Sequence, residues 1–450
     1  MRGVYPGVTM KTSTYGIVGV GGRSELFINA LTGRFKAGHR LLALCDTNVG
    51  RLELWRGRIA ERGVQVRIYE ASRFDTMLRK ERPDVIIVCS VDSTHDRYIV
   101  RALRAGCNVI TEKPMAIDAP RCRRIVRAAA EYRGTVRVTF NYRYSPPRSQ
   151  VKELLDSGVI GAVRSVDFHW MLDTRHGADY FRRWHRNKRN SGGLLVHKAM
   201  HHFDLVNWWI GATPVEVYAQ GKRDFYTPRT AEHMGLRHRG ERCATCPELR
   251  RCPFALRIAA VPAMAELYLR QESHDGYIRD RCVFSESSDI EDWLGVQVRY
   301  SNDVRLTYSL CTYAPWEGYT ICFNGTAGRL EHQMVEGAHI IGDGTTPARM
   351  IRTGTFITVY PHFRKPYTVP LREATGGHGG GDDLMLDDIF AASRRADPLV
   401  RIAGIGDGAW SILTGIAANR SIATGRPVRA DRLVAGIPRP GYLSTKPQAV

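Results

Sequence analysis

The chain has 450 residues, of which 43% are hydrophobic and 24% charged. That mixture excludes a disordered or fibrous protein, and the length accommodates two large domains or three of ordinary size. No stretch approaches the roughly 18 uninterrupted apolar residues of a membrane helix, and the N-terminal MRGVYPGVTMKTST has no apolar signal core. The expectation is a soluble, cytoplasmic protein with no membrane partner, for which Met10 is an alternative start. Lys and Arg total 65 against 45 acids, a formal net charge of +20. The basic residues are scattered instead of gathered in one tail, which points to solvated faces and away from nucleic acid. Two clusters, residues 182–186 and 237–239, could hold an anion.

The first 141 residues alternate short apolar runs with amphipathic stretches. Strands are expected at 15–20, 39–45, 64–69, 84–89, 108–111 and 135–141, and helices at 24–31, 49–62, 72–81, 95–105 and 120–132. The run at 84–89 is almost purely apolar after its first residue, as for a strand buried on both faces. Repeated βαβ units predict a doubly wound parallel sheet, the Rossmann arrangement. From residue 142 onward the texture changes. A helix at 150–157 and a strand at 163–172 precede a helix at 195–209. Strands at 215–219, 294–300, 304–310, 319–324 and 355–359 are joined by turns, and helices at 382–394 and 408–424 close the chain. The division is a Rossmann domain at 1–141 and an α+β domain at 142–450 with a large open, mostly antiparallel sheet and a cysteine-bearing insertion around 226–282.

Gly19-Val20-Gly21-Gly22-Arg23-Ser24 follows a strand and opens a helix. The first glycine permits a tight turn, and the second lets the backbone approach a pyrophosphate at the helix N-terminus. Ser24 stands where a third small residue packs helix on strand. Asp46 ends the second strand; its carboxylate can accept the adenosine ribose hydroxyls and would repel a 2′-phosphate, which favours NAD over NADP.

Thr111-Glu112-Lys113-Pro114, together with Val88-Cys89-Ser90, Asp92-Ser93-Thr94-His95, Ala105-Gly106-Cys107-Asn108-Val109, Asn141-Tyr142-Arg143-Tyr144, Ser191-Gly192-Gly193-Leu194-Leu195, His201-His202-Phe203-Asp204 and Asn324-Gly325-Thr326-Ala327-Gly328, resembles the Gfo/Idh/MocA family of sugar and polyol oxidoreductases. The resemblance runs over nearly the whole chain. It implies that Gly19, Gly21, Gly22, Arg23, Ser24, Asp46, Ser90, His95, Glu112 and Lys113 hold the cofactor. It implies further that Lys113 contacts both the nicotinamide ribose and the substrate hydroxyl, where a cationic ring would lower its pKa and suit a proton relay. The matching positions for the family's Asp and His, four residues apart on a helix, are His197 and His201. His201 fits the base that takes the hydroxyl proton. His197 departs from the usual Asp. Beside Lys198 and His202 it makes the segment strongly cationic, which fits an anionic substrate such as a uronate or sugar phosphate, or a metal held by the two imidazoles and a carboxylate. Arg143, Arg182, Trp184, His185, His202 and His378 are candidate substrate contacts. His378 lies in the glycine-rich turn 376–382, whose backbone allows close approach to a ligand. Oligomer contacts in the family imply a homodimer or homotetramer.

Of ten cysteines, Cys45, Cys89, Cys107, Cys122, Cys311 and Cys322 sit singly in apolar or helical surroundings and read as small buried hydrophobes. Cys243-Ala244-Thr245-Cys246 and Cys252 form a CxxC followed by a third thiol, a spacing that a metal explains better than disulfides in a reducing compartment. Cys282 is the chosen fourth ligand, with His238 or His274 as substitutes. Four thiolates would make a closed structural zinc site; an iron–sulfur cluster is compatible by ligand type.

These readings converge on an NAD-dependent oxidoreductase that moves hydride between nicotinamide and a secondary hydroxyl of a sugar, cyclitol or sugar acid. An alternative is a redox-cycling NAD-dependent glycosidase or lyase working through a transient 3-keto sugar, which the histidine-rich segment and the turn at 376–382 favour. A nucleic-acid-binding regulator, prompted by the charge, is opposed by the intact Lys113 and His201.

Overall fold

A computed structural model describes residues 12–337, 354–373, 377–391 and 396–443. Met10, Gly376 and the end of the helix expected to reach residue 394 lie outside the described residues. Among the described residues no helix is long and apolar enough to cross a membrane.

Six strands form the first sheet: β1 (Ser13–Val18), β2 (His39–Asp46), β3 (Arg67–Glu70), β4 (Val85–Val88), β5 (Asn108–Thr111) and β6 (Val136–Val138). Their order is β3-β2-β1-β4-β5-β6 and every pairing is parallel. This is the Rossmann sheet the alternating pattern predicts. β4 is Val-Ile-Ile-Val because helices cover both faces of the sheet; Ile86, Ile87 and Val88 are fully buried. The order reverses between β1 and β4, so the crevice opens beyond their C-terminal ends, at Gly19 and Ser90.

The second sheet has nine strands: β7 (Val163–Asp173), β8 (Pro214–Lys222), β9 (Trp293–Tyr300), β10 (Arg305–Ala314), β11 (Glu317–Gly325), β12 (Gly328–Gly337), β13 (Gly354–Pro361), β14 (Tyr367–Thr368) and β15 (Val428–Arg429). The order is β14-β13-β12-β11-β7-β10-β9-β8-β15, antiparallel except where β7 runs parallel to β10. Along β10 every second residue, from Leu306 to Ala314, is buried. One face of the sheet therefore packs on helices, chiefly Met200–Ile210 and the end of Ile405–Thr424, and the other stays open.

Three details differ from expectation. β12 was not anticipated, because Arg329, Glu331 and Gln333 alternate with a face that includes His332. That histidine is fully buried, with Nε2 2.6 Å from the Tyr319 hydroxyl, so a polar residue occupies a core position. The helix expected at 195–209 is two pieces, Leu194–His197 and Met200–Ile210, broken at Lys198 and Ala199. The glycine-rich turn does not enter a helix directly: within Gly377–Phe390, His378, Gly379 and Gly380 are left-handed, with φ of 53°, 65° and 79°.

Candidate functional site

A cavity of about 420 Å³ runs from the glycine loop to the break at Lys198. Its first end is built by β1, β2 and β4. Gly19 has φ +85°, and a side chain there would put its Cβ 2.4 Å from Ser90 N; only glycine closes this turn. Ser24 is buried and its Oγ donates to Gly21 O at 2.7 Å, so it braces the loop and does not line the cavity, a correction to its assignment as a cofactor contact. Asp46 faces the cavity. Its Oδ2 accepts the Val20 N–H at 2.6 Å and Oδ1 accepts the Asn48 N–H at 2.8 Å, so the carboxylate is fixed beside the loop. Arg23 pairs through Nε with Glu112 at 2.8 Å, and both line the cavity. His95 is held by two carbonyls, Pro114 O at 2.8 Å and Ser90 O at 2.9 Å, and burial lowers its pKa. A backbone loop at a helix start, a fixed carboxylate at the end of β2 and a wall from β4 fit an adenosine diphosphate.

The far end gathers Lys113, His197, Lys198 and His201. Lys113 follows β5 and precedes a cis peptide bond to Pro114. Its Nζ donates to His197 O at 3.4 Å. Burial lowers its pKa to about 8 against the pull of Glu112, and Lys198 adds to the fall. His201 stacks on Tyr142 with ring centroids 4.2 Å apart, and its buried Nδ1 meets no partner among the described residues. Burial, then Lys113 and Lys198, hold this imidazole neutral well below the usual histidine range. His197 Nδ1 lies 2.6 Å from Asp92 Oδ2. Burial drives both toward their neutral forms, lowering the histidine and raising the carboxyl. A carboxyl group absent from this helix is thus supplied by the turn after β4. Among the described residues no group of three His, Cys, Asp or Glu side chains is arranged to hold a metal, so nothing in the geometry favours a metal on His197 and His201.

Trp184, His185 and His378 line the cavity as expected of substrate contacts. His378 Nδ1 bonds Asp382 at 2.7 Å; burial works against that carboxylate, but His378 and Arg23 hold it below the usual range. Gly381 makes a close approach to the chain itself: a Cβ there would lie 2.3 Å from Asn141 O. Three other candidates are elsewhere. Arg143 is fully buried, with Nε and Nη2 on Asp204 at 2.8 and 2.6 Å and Nη2 on Asp407 at 3.0 Å. Its charge is spent inside the protein. Arg182 turns away to Cys243 Sγ at 3.4 Å and to Phe254 O. His202 is sandwiched in the core, stacked on Trp170 at 3.8 Å with Nδ1 on the Tyr308 hydroxyl at 2.7 Å. The neighbours of these misplaced residues face the cavity: Tyr142, whose hydroxyl accepts from Lys198 Nζ at 3.0 Å, and Arg183. Cys89, expected as a core hydrophobe, also lines it.

Cys243, Cys246, Cys252 and Cys282 line a second, apolar pocket of about 20 Å³. An antiparallel bridge between Arg242 and Arg281 sets Cys243 across from Asp280 and Cys282 across from Glu241, with Cys243 N on Asp280 O and Cys282 N on Glu241 O, both at 2.8 Å. Gly240 N and Leu256 N donate to the sulfurs of Cys246 and Cys243 at 3.2 and 3.4 Å. His238 and His274 do not line this pocket.

The family models for the oxidoreductase family match residues 13–140 (NAD-binding Rossmann fold) and 152–429 (C-terminal alpha/beta domain). The chain belongs to the Gfo/Idh/MocA oxidoreductases. Similar members of the family include YteT of Bacillus subtilis (strain 168), 38% identical over 415 residues that cover 90% of this chain and 94% of YteT. Inositol 2-dehydrogenase of Rhizobium meliloti (strain 1021) is 28% identical over 208 residues, 46% of this chain and 58% of that one. Among solved structures, an oxidoreductase from Agrobacterium radiobacter in complex with NAD+, L-tartaric acid and magnesium aligns with TM-score 0.61 at 14% identity, over 94% of this chain and all of the other. Aldose-aldose oxidoreductase from Caulobacter crescentus, complexed with glycerol, aligns with TM-score 0.61 at 17% identity over 93% of this chain. At these identities the structural likeness is one of fold.

Proposed function

We propose that this Gfo/Idh/MocA protein is an NAD-dependent dehydrogenase oxidising a secondary hydroxyl of a sugar, cyclitol or sugar acid. The observation that carries this reading is the single cavity joining the dinucleotide loop to Lys113 and His201. NAD bound along the loop would supply the hydride acceptor. Gly19, Gly21 and Gly22 hold its pyrophosphate, with Asp46 on the adenosine ribose. The His201 imidazole, kept neutral by burial, takes the hydroxyl proton, and Lys113 Nζ, near neutrality in its own titration, relays it. His197, braced by Asp92, orients the substrate. Lys198 and Arg183 put two cations at the substrate end, which favours a substrate bearing a carboxylate. Nothing in the relatives supports the redox-cycling alternative. The domain division at residue 141, the insertion at 226–282 and a homodimer or homotetramer belong to the same reading. The test is NADH formation by the purified protein against inositols, aldoses and uronic acids. Formation with one class supports the proposal; tight NAD binding with no net NADH from any hydroxyl compound, but cleavage of glycosides, overturns it.

For the second pocket we propose a structural zinc on Cys243, Cys246, Cys252 and Cys282. Its support is that all four thiols line one small apolar pocket; among the described residues they are not gathered into a ligand group, so zinc would have to draw them together. Metal analysis of the protein as purified should find about one zinc per chain; a metal-free, fully folded protein overturns the proposal, and visible absorbance would assign an iron–sulfur cluster instead.

A further inference from the structure

The cysteine-bearing segment between β8 and β9 does not stay in its own domain. Leu267 is buried in the apolar cluster of the Rossmann sheet with Ile28, Leu52 and Trp55. Beyond it, the chain crosses the adenosine end of the cavity. The Gly22 N–H in the glycine loop donates to the Tyr268 hydroxyl at 2.9 Å. Asn48 Nδ2 donates to Gln271 O at 2.9 Å, and Arg58 pairs with Glu266. The approach is so close that a Cβ on Gly50 would lie 2.0 Å from Gln271 Oε1 and 2.5 Å from His274 Cδ2. Arg51 is the cation nearest Asp46, at 3.3 Å, and it is also paired with Asp275 of this segment. Asp46, Arg51, Tyr268, Asp275 and Tyr277 all line the cavity. Arg242, next to Cys243, fixes the segment from behind through Glu272 and Asp280 at 2.6–2.7 Å.

We propose that residues 268–277 are part of the dinucleotide site, with Tyr268 at the pyrophosphate loop and Asp275 selecting a ribose without a 2′-phosphate by occupying Arg51. The inference rests on the NAD reading above. An arginine after β2 is the group that accommodates a 2′-phosphate in NADP enzymes. Here its guanidinium faces two carboxylates, one from each domain, and each would repel a phosphate dianion. Asp46 can be read from the sequence; Asp275 lies 229 positions away and meets Arg51 only through the fold. Tyr268 has a different task. Its hydroxyl can both accept from the loop N–H and donate to a phosphate oxygen, so it should serve NAD and NADP alike.

The test is direct titration of the full-length protein with NAD and with NADP, followed by calorimetry. Asp275→Asn should improve NADP affinity relative to NAD by about tenfold, and adding Arg51→Ala should abolish that gain. Tyr268→Phe should weaken both cofactors together by a few fold. Gly50→Ala, which displaces the segment without changing any charge, should also weaken both. An unchanged NADP-to-NAD ratio in folded Asp275→Asn overturns the role of Asp275. Unchanged affinities in Tyr268→Phe and Gly50→Ala reduce the segment to a structural cover. A wild-type protein that binds neither cofactor refutes the dehydrogenase reading itself, which these variants do not address.

Discussion

Replacing Lys113 by Met keeps much of the side-chain volume and removes the proton. Burial lowers this lysine from 10.5 to about 8. A fall of about 2.5 pH units, each worth about 1.4 kcal/mol, sets the cost of keeping Lys113 charged near neutral pH at about 3 kcal/mol. Partial exposure to the cavity trims that to about 2 kcal/mol. The sign follows from proton counts. Between about 8 and 10.5 the unfolded chain holds a proton that the folded chain has shed, so the wild type gains stability as pH rises through that window. Lys113→Met should therefore be about 2 kcal/mol more stable than wild type near neutral pH, and the difference should close once pH exceeds 10.5. Urea unfolding across that range measures it, and oxidation of the substrate by the same variant should fall about 100-fold or more. A variant less stable at neutral pH, or a difference that does not change with pH, would refute the account of a lysine held against its own solvation.

His201→Asn should lower kcat about 100-fold or more while leaving NAD affinity intact, measured by steady-state kinetics and titration; an undiminished kcat removes His201 as the base. Arg143→Met strands Asp204 and Asp407 without their cation and should cost about 3–5 kcal/mol in chemical unfolding; loss of activity at full stability would return Arg143 to the substrate site. Tyr142→Phe deletes the acceptor of Lys198 Nζ, an effect of about 1–2 kcal/mol that should appear as a five- to thirtyfold rise in KM. Unaltered substrate kinetics would place Lys198 outside the substrate's reach.

Much of the fold was legible because its signals are local. β4 is apolar throughout and β10 alternates, so period alone identified them. β12 escaped because His332 occupies a core position through a hydrogen bond to Tyr319 that no sequence pattern announces. The glycine loop could be read for the same local reason, a turn that follows a strand, whereas Lys113 was singled out by the family resemblance; both line the cavity. Arg143 and Arg182, expected as substrate contacts, point away from the cavity, while their neighbours Tyr142 and Arg183 line it. Side-chain direction in short irregular turns is decided by distant partners, here Asp204, Asp407 and Cys243. The pairings of Asp92 with His197 and of Asp275 with Arg51 were invisible for that reason too; each spans more than 100 positions.

The helix Ile405–Thr424 belongs to two interiors at once. Ala409, Ile412 and Leu413 lie in the cluster under β4 and β5, while Ala417 and Ala418 lie in the cluster of the nine-stranded sheet. Val138 N also donates to Ala403 O at 2.9 Å, at the outer edge of the Rossmann sheet. The nucleotide-binding half is continuous in sequence but incomplete in substance: a fragment ending near residue 140 would present to water an apolar face shaped for residues 403–434. The end of the polypeptide thus finishes the domain that its beginning starts, and the two halves should melt together as one cooperative body.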